Sequence, residues 1–114
     1  MRVALTIEYD GTAYSGFQYQ KNTRTIQEEI ENAIHRFSGE RVRINSAGRT
    51  DAGVHAKGQV IAFDTMSTEE TSSLIRDLNF YLPDDISVKC GRKTSPDFDP
   101  RRWATGRRYI YSIE

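Results

Sequence analysis

The order of hydrophobic periodicities along the chain is the feature that most constrains its fold. Residues 3–9 alternate between apolar and polar side chains, which is typical of a strand with one buried face. After an irregular loop at residues 11–24, Thr25 and Glu28 form a possible capping box. Apolar residues then recur at helical spacing until Gly39, which is a stop signal. The chain is therefore expected to begin with a strand and a helix.

The rest of the chain continues this alternation. A short strand is predicted at residues 42–44 and another at residues 59–63. A second helix, capped by Ser67 or Thr68, is expected to end before Pro83. Two further strands are predicted at residues 86–90 and 107–113. This order favours an α+β, ferredoxin-like split βαβ fold, in which an antiparallel sheet carries both helices on one face, with an additional strand at the end.

The charge of the chain is balanced overall but unevenly distributed. Sixteen Lys and Arg residues offset sixteen Asp and Glu residues, which argues against a generally basic, non-specific nucleic-acid binder. Residues 41–57 nevertheless hold four basic groups and one acidic group, and residues 89–108 hold seven and two. A neutral chain with two basic blocks can still present one basic face.

Other features of the sequence indicate the cellular compartment. Cys90 is the single cysteine, so no internal disulfide can form, and this suits a reducing environment. No apolar run approaches the roughly 20 residues that span a bilayer, and Glu8 comes too early for a signal-peptide core. A cytoplasmic location is expected.

The segment around Asp51 is the most unusual in the chain. Gly48 and Gly53 let the backbone turn sharply, and they bracket Arg49 and Asp51. A guanidinium beside the carboxylate would favour its ionised form, so Asp51 could act as a nucleophile or base. The alternative is an ordinary loop in which Asp51 forms an Asx-turn and Arg49 is solvated. His55 could be a general acid or base, but no cluster of ligands has metal spacing, so no metal is predicted.

A second group of residues joins four arginines to aromatic rings. Guanidinium groups bind phosphates and flat rings stack on unstacked bases, so this group suits RNA. The alternative is a surface strand whose tyrosines lie in the core. The group comprises Arg101, Arg102, Trp103, Arg107, Arg108, Tyr109 and Tyr111. Three more aromatic residues, Tyr14, Phe17 and Tyr19, lie in the first loop and are expected to pack across the end of the sheet.

These motifs together resemble those of the bacterial tRNA pseudouridine synthase A family. The segment from Ala47 to His55 resembles the signature of that family, and the segment from Ile7 to Gln18 resembles its first strand and loop. The remaining similarities follow in the same order and cover essentially the whole chain. They lie at residues 25–27, 79–85, around Phe98, and at residues 104–111.

The resemblance implies an enzyme and a set of site residues. It implies that Asp51 is the catalytic aspartate and that Arg49 helps to extrude the target nucleotide. It further implies that Tyr109 stacks against the uracil, beside the RNA-binding Arg107 and Arg108. Members of the family isomerise uridine to pseudouridine at positions 38, 39 and 40 in the anticodon stem-loop of tRNA, without cofactor or metal. Whether Asp51 attacks the sugar, adds to the base or abstracts a proton is left open by the sequence.

The resemblance also carries an expectation about length. Members of the family are roughly twice as long, act as homodimers and have a second, similar domain that completes the cleft. Residues 1–114 are therefore expected to be an N-terminal catalytic domain without its C-terminal partner. Alone, this domain is expected to be weakly active or inactive.

Two readings from other functional classes compete with the enzyme. One is a non-catalytic RNA-binding module similar to an RRM, because residues 57–63 faintly match its RNP1 motif. Gln59 and Ile61, however, replace the aromatic residues of that motif at its third and fifth positions. The other is a homo-oligomeric structural domain, which would show no salt-dependent binding to tRNA.

Overall fold

Four strands and two helices make up the part of the chain that the computed structural model describes, residues 1–47 and 56–101. A short 3-10 helix, Gly11–Ala13, follows the first strand. In chain order, the elements are β1 Arg2–Tyr9, α1 Ile26–Ser38, β2 Asn45–Ser46, β3 Ala56–Asp64, α2 Thr71–Tyr81 and β4 Ile86–Thr94.

The four strands form one antiparallel sheet in the order β2-β3-β1-β4. Alternate residues of β1 join apolar residues of both helices in a single buried cluster, so both helices pack on the same face. At the centre of this face, Leu5 pairs with Ile61 on one side and with Gly91 on the other. The predicted ferredoxin-like α+β architecture is confirmed. The predicted strand at residues 107–113 lies outside the described residues.

The opposite face of the sheet is crossed by the segment that follows β4. Arg2 alternates with the core residues of β1, and its Nε donates to the carbonyl of Phe98 at 2.8 Å. The same guanidinium contacts Asp64 at 3.2 Å and the side-chain oxygen of Asn45 at 2.8 Å. The Arg92 guanidinium lies 5.8 Å from the centre of the Phe98 ring. Arg2 thus ties β1, β2, β3 and the segment after β4 together.

Helix α1 begins and ends where the sequence predicts. The Thr25 hydroxyl accepts a hydrogen bond from the backbone N–H of Glu28 at 3.3 Å, which satisfies one of the unpaired donors of the first turn. At the other end Gly39 has a φ of 78°, a left-handed conformation that favours glycine. Its N–H donates to the carbonyl of His35 at 2.8 Å.

Two local predictions were wrong. The second strand is Asn45–Ser46 and not residues 42–44, because the N–H of Ile44 donates to the Glu31 carboxylate rather than to a neighbouring strand. The cap of α2 is Glu70, with no side-chain cap bond, and not Ser67 or Thr68. The Ser67 hydroxyl instead accepts from the N–H of Glu69, so it forms a local turn ahead of the helix.

Strands β3 and β4 extend beyond the ranges predicted for them. β4 continues to Thr94, four residues past the expected end, because it pairs with β1 as far as Arg2. Gly91 lies within this extension, where a Cβ would approach the Leu5 side chain to 2.3 Å and the Thr71 methyl to 3.3 Å. A glycine is therefore required for α2 and β1 to approach β4 closely.

Candidate functional site

The chain on either side of the predicted catalytic loop is fixed to the sheet. Before the loop, the N–H of Ala47 donates to the carbonyl of Val60 at 2.9 Å, which continues the pairing of β2 with β3. After it, Ala56 opens β3 and pairs with Tyr9, the last residue of β1. The described residues that flank this loop, Ala47 and Ala56, are therefore both joined to strands of the sheet.

The first loop is fastened to this same end of the sheet through Asp85. The N–H of Asp10 donates to the backbone carbonyl of Asp85 at 2.9 Å, and the Tyr14 hydroxyl donates to its carboxylate at 2.5 Å. Within the loop, the Asp10 carboxylate accepts from the N–H of Thr12 at 3.0 Å and from its hydroxyl at 2.6 Å. These bonds connect the end of β1 to the turn before β4.

Electrostatics reinforce the contact between Tyr14 and Asp85. Burial of the ring, followed by the hydrogen bond to Asp85 and the charge of that carboxylate, raises the pKa of the Tyr14 hydroxyl well above its ordinary value. The Arg24 guanidinium lies 4.6 Å from the ring centre and 3.0 Å from a carboxylate oxygen of Glu29. The hydrogen bond that Arg24 donates to Glu29 raises the pKa of the guanidinium, which lies over the ring as a cation.

A polar cleft of about 350 Å³ opens beside the start of the predicted catalytic loop. One wall is the exposed part of the first loop, with Gln18 and Tyr19, and the other is the chain leading through β2, with Arg43 and Asn45. Asp99 and Arg101, from the segment after β4, also line it. We refer to it as the Tyr19–Arg43 cleft.

The sequence-predicted site residues fall mostly outside the described residues. This holds for Arg49, Asp51, His55, Trp103, Arg107, Arg108 and Tyr109. Of the others, Arg101 lines the Tyr19–Arg43 cleft. In residues 1–47 and 56–101, no three His, Cys, Asp or Glu side chains come together as a candidate metal site.

The partners that organise the first loop are distant in the sequence and leave no local signal there. Tyr14 and Phe17 pack in the core as expected, whereas Tyr19 is 46% exposed. The Tyr14–Asp85 contact joins residues 71 positions apart, so no local pattern marks it. Gln27 is buried in α1 although its polar side chain favours exposure, and its place beside Ile26 and Ile30 is the local signal for this burial.

Comparison with known proteins places this fold and its motifs in a family. The sequence profile of the tRNA pseudouridine synthase family matches residues 5–101. This chain belongs to the tRNA pseudouridine synthase family. The resemblance noted from the sequence is thereby confirmed.

Individual members of the family align with nearly all of the chain. The tRNA pseudouridine synthase A of Syntrophomonas wolfei is 52% identical over 112 residues, which cover 98% of this chain and 45% of that protein. The protein of the same name in Myxococcus xanthus is 46% identical and is covered to 42% of its length. That of Geobacter sulfurreducens is 47% identical and is covered to 46%. The chain thus spans less than half the length of these curated members of the family.

Neither of the two described helices could cross a bilayer. Within residues 1–47 and 56–101, no helix is both long and apolar enough to do so.

Proposed function

We propose that this chain is the catalytic domain of an enzyme that isomerises uridine to pseudouridine in tRNA, at positions 38, 39 and 40 of the anticodon stem-loop. The observation that carries the proposal is the match of the tRNA pseudouridine synthase profile to residues 5–101. Support comes from the relatives named tRNA pseudouridine synthase A, which align with 97% of this chain or more. The ferredoxin-like sheet also agrees with the fold that the family resemblance implied.

The proposed reaction exchanges one bond of the nucleotide for another. The bond from the sugar C1′ to N1 of uracil breaks, and a bond from C1′ to C5 forms. The proton on C5 is lost and N1 gains one, so atoms and electrons balance within the uridine. The isomerisation is redox-neutral, which agrees with the expectation that the family uses no cofactor.

The target base must leave the helical stem before this chemistry can occur. Flipping a base costs a few kcal/mol, which stacking in a pocket and contacts to phosphates offset. Tyr109 is the proposed stacking partner of the uracil, and Arg49 is proposed to help to extrude the nucleotide. Arg107 and Arg108 are proposed to bind the RNA backbone, where guanidinium groups suit phosphate oxygens.

Asp51 is proposed to carry the reaction itself. A carboxylate can form a covalent bond to the nucleotide or stabilise its cleaved form, and it can also take the C5 proton. The chain on both sides of its loop is anchored, at Ala47 to Val60 and at Ala56 to Tyr9. A catalytic group on a loop whose ends are held by a rigid scaffold is a common arrangement in enzymes.

The complete active enzyme is proposed to need more than this chain. The proposal rests on the length of the relatives, of which the chain covers less than half. A second domain would complete the cleft, and the enzyme would act as a cytoplasmic homodimer. Incubating the 114-residue chain and a complete member of the family with unmodified tRNA, then mapping pseudouridine, tests this proposal. We expect product only from the longer protein, and full activity of the 114-residue chain would refute the requirement.

The role of Asp51 is tested by its substitution in the complete protein. Asp51→Asn should lower the rate of pseudouridine formation at least about a thousandfold, since the carboxylate is lost. Its affinity for tRNA should stay near that of the wild type, because the shape of the side chain is kept. Asp84→Asn, at an exposed carboxylate before β4, is the matched control and should leave the rate unchanged. Retained turnover in Asp51→Asn would refute the assignment.

The RRM-like alternative finds no support in the described part of the sheet. Ile61 is fully buried in the core that faces the helices, so it does not occupy a stacking position on the open face. The neighbouring positions of β3 on the opposite face of the sheet are Val60 and Ala62, which carry no ring and are themselves buried. The described strand β3 therefore lacks the stacking platform of that module.

A further inference from the structure

The Tyr19–Arg43 cleft is lined by Ser46, two residues before the segment that carries Asp51 begins, and has no role in the function proposed so far. Its β2 wall ends at Ser46, and residues 48–55 with Asp51 follow after Ala47. A ligand in the cleft would therefore lie beside the point where the catalytic loop leaves the sheet. The inference that follows rests on the proposed function, because it concerns the same substrate.

The two walls of the cleft are held by one pair of side chains on α1. The N–H of Tyr19 donates to the side-chain oxygen of Gln27 at 2.8 Å, and the Gln27 amide donates to the Glu31 carboxylate at 2.9 Å. The N–H of Ile44 donates to the same Glu31 oxygen at 3.1 Å. Gln27 is only 8% exposed, and all three bonds are partly buried. The backbone on both sides of the cleft is thus preorganised, which lowers the entropic cost of binding.

The exposed side chains on these walls include an aromatic ring, a guanidinium and an amide. Tyr19 is 46% exposed although its backbone N–H is bonded to Gln27, so part of its aromatic side chain is presented to solvent. Arg43 is exposed and makes no hydrogen bond or ion pair with the part of the chain that the structure describes. The amide of Gln18 lines the same wall as Tyr19. An aromatic ring beside a cation is the combination that binds single-stranded nucleic acid, by stacking on a base and by contact with a phosphate.

One carboxylate also lines the cleft and has to be considered, since it would repel an anion. Asp99 is partly buried, and one of its oxygens accepts the N–H of Arg101 at 3.0 Å. The Arg101 side chain lines the cleft as well. The two arginines on the lining outnumber this carboxylate, so the net charge of the lining is positive.

We propose that the Tyr19–Arg43 cleft binds a nucleotide that flanks the target uridine in the RNA. Its base stacks on the Tyr19 ring and its phosphate contacts Arg43. When a uridine is flipped out of a stem, its neighbours lose a stacking partner, and a protein ring can take the place of the missing base. The cleft is a specificity-determining subsite that reads an opened strand and not the target base itself.

Substitutions that leave the core untouched test this subsite in the complete protein. Arg43→Gln should weaken binding of unmodified tRNA and make the slope of log affinity against log salt shallower by about one, because one phosphate contact is lost. Arg76→Gln is the matched control, since Arg76 is an exposed arginine on α2, which packs beside β4 at the opposite edge of the sheet. Its slope should equal that of the wild type. Equal slopes for Arg43→Gln and the wild type would overturn the proposal.

Two substitutions of Tyr19 distinguish a loss of stacking from a loss of folded structure. Tyr19→Ala should weaken tRNA binding by about tenfold or more, whereas Tyr19→Phe, which keeps the ring, should bind as the wild type does. Equal affinity of all three proteins would overturn the stacking role. Because the Tyr19 ring is exposed, thermal unfolding of both variants should match that of the wild type, which verifies that a loss of affinity is not a loss of fold.

A photocrosslink identifies the nucleotide directly. A tRNA substrate with 5-bromouridine at the position on either side of the target is irradiated with the complete protein, and the crosslinked peptide is mapped. A crosslink to the peptide that contains Tyr19 is expected, and a crosslink only to other segments would overturn the proposal. Pseudouridine formation by the wild type is measured in the same preparation. Its absence would count against the proposed function, whereas product without the crosslink would count against the subsite alone.

Discussion

Tyr14 and Tyr19 belong to the same loop but lie in opposite environments. Tyr14 is 4% exposed, with its hydroxyl on Asp85 and the Arg24 guanidinium over its ring. Tyr19 is 46% exposed, and its backbone N–H is bonded to Gln27. The same residue type therefore serves as core in one half of the loop and as surface in the other. The difference lies in the partners that the fold brings to each position.

Phe17 is the point at which the loop changes from one environment to the other. Its ring is 2% exposed and lies 5.9 Å from that of Tyr9, at a tilt of 40°. Its carbonyl accepts the N–H of Gln27 at 2.9 Å, at the start of α1. The chain before Phe17 is thus packed against the sheet end, and the chain after it forms a wall of the Tyr19–Arg43 cleft.

The largest expected difference in stability is between alanine substitutions at Phe17 and at Tyr19. Phe17→Ala removes a buried ring and should lower the free energy of unfolding by about 3–5 kcal/mol. Tyr19→Ala should change it by less than about 0.5 kcal/mol, because the ring already contacts water. Urea denaturation of both variants measures the difference. Similar losses of unfolding free energy at the two positions would contradict the assignment of Phe17 to the core and of Tyr19 to the surface.

A smaller contrast is expected when only the hydroxyls are removed. Tyr14→Phe loses a hydrogen bond to a charged acceptor and should cost about 1.5–3 kcal/mol of unfolding free energy. Tyr19→Phe is the matched control and should be neutral, since among the described residues no hydrogen bond to the Tyr19 hydroxyl is found.

The contact between Tyr14 and Asp85 should also make the free energy of unfolding depend on pH. The folded chain raises the pKa of Tyr14, so it holds the phenolic proton to a higher pH than the unfolded chain. The resulting stabilisation is complete below the unfolded pKa of about 10 and is lost as the pH rises above it. The cost of Tyr14→Phe should therefore be smaller at about pH 10.5 than at about pH 8, with the decrease beginning near pH 10. A cost that stays constant or grows across this range would contradict the assignment.

The smallest expected effect is at Arg24. Its side chain is 45% exposed, and its ion pair with Glu29 spans 3.0 Å. Arg24→Gln should lower the free energy of unfolding by about 0.2–1 kcal/mol, an effect that salt should reduce. Denaturation at low and high ionic strength measures it. A cost as large as that of Tyr14→Phe would mean that the cation over the ring, and not Asp85, fixes the first half of the loop.

The sequence predicted the elements whose signals are local. Helix α1 was predicted with both of its ends, because Thr25 and Gly39 act on the backbone within a turn of themselves. The alternation that buries Val3, Leu5, Ile7 and Tyr9 in β1 was likewise visible in the sequence. The cap of α2 was assigned wrongly, because Ser67 makes a local turn bond instead. The same hydroxyl can cap a helix or close a local turn, and the sequence signal for the two is alike.

By itself, then, the sequence determined the order of the described strands and helices, the buried face of β1, and the resemblance to the family whose profile matches residues 5–101. Only the tertiary structure decided where β2 begins, how far β4 continues, and which of two tyrosines is buried. The physical reason is distance along the chain. Periodicity and caps act over a few residues, whereas strand register and the Tyr14–Asp85 contact depend on groups that meet only when the sheet is assembled.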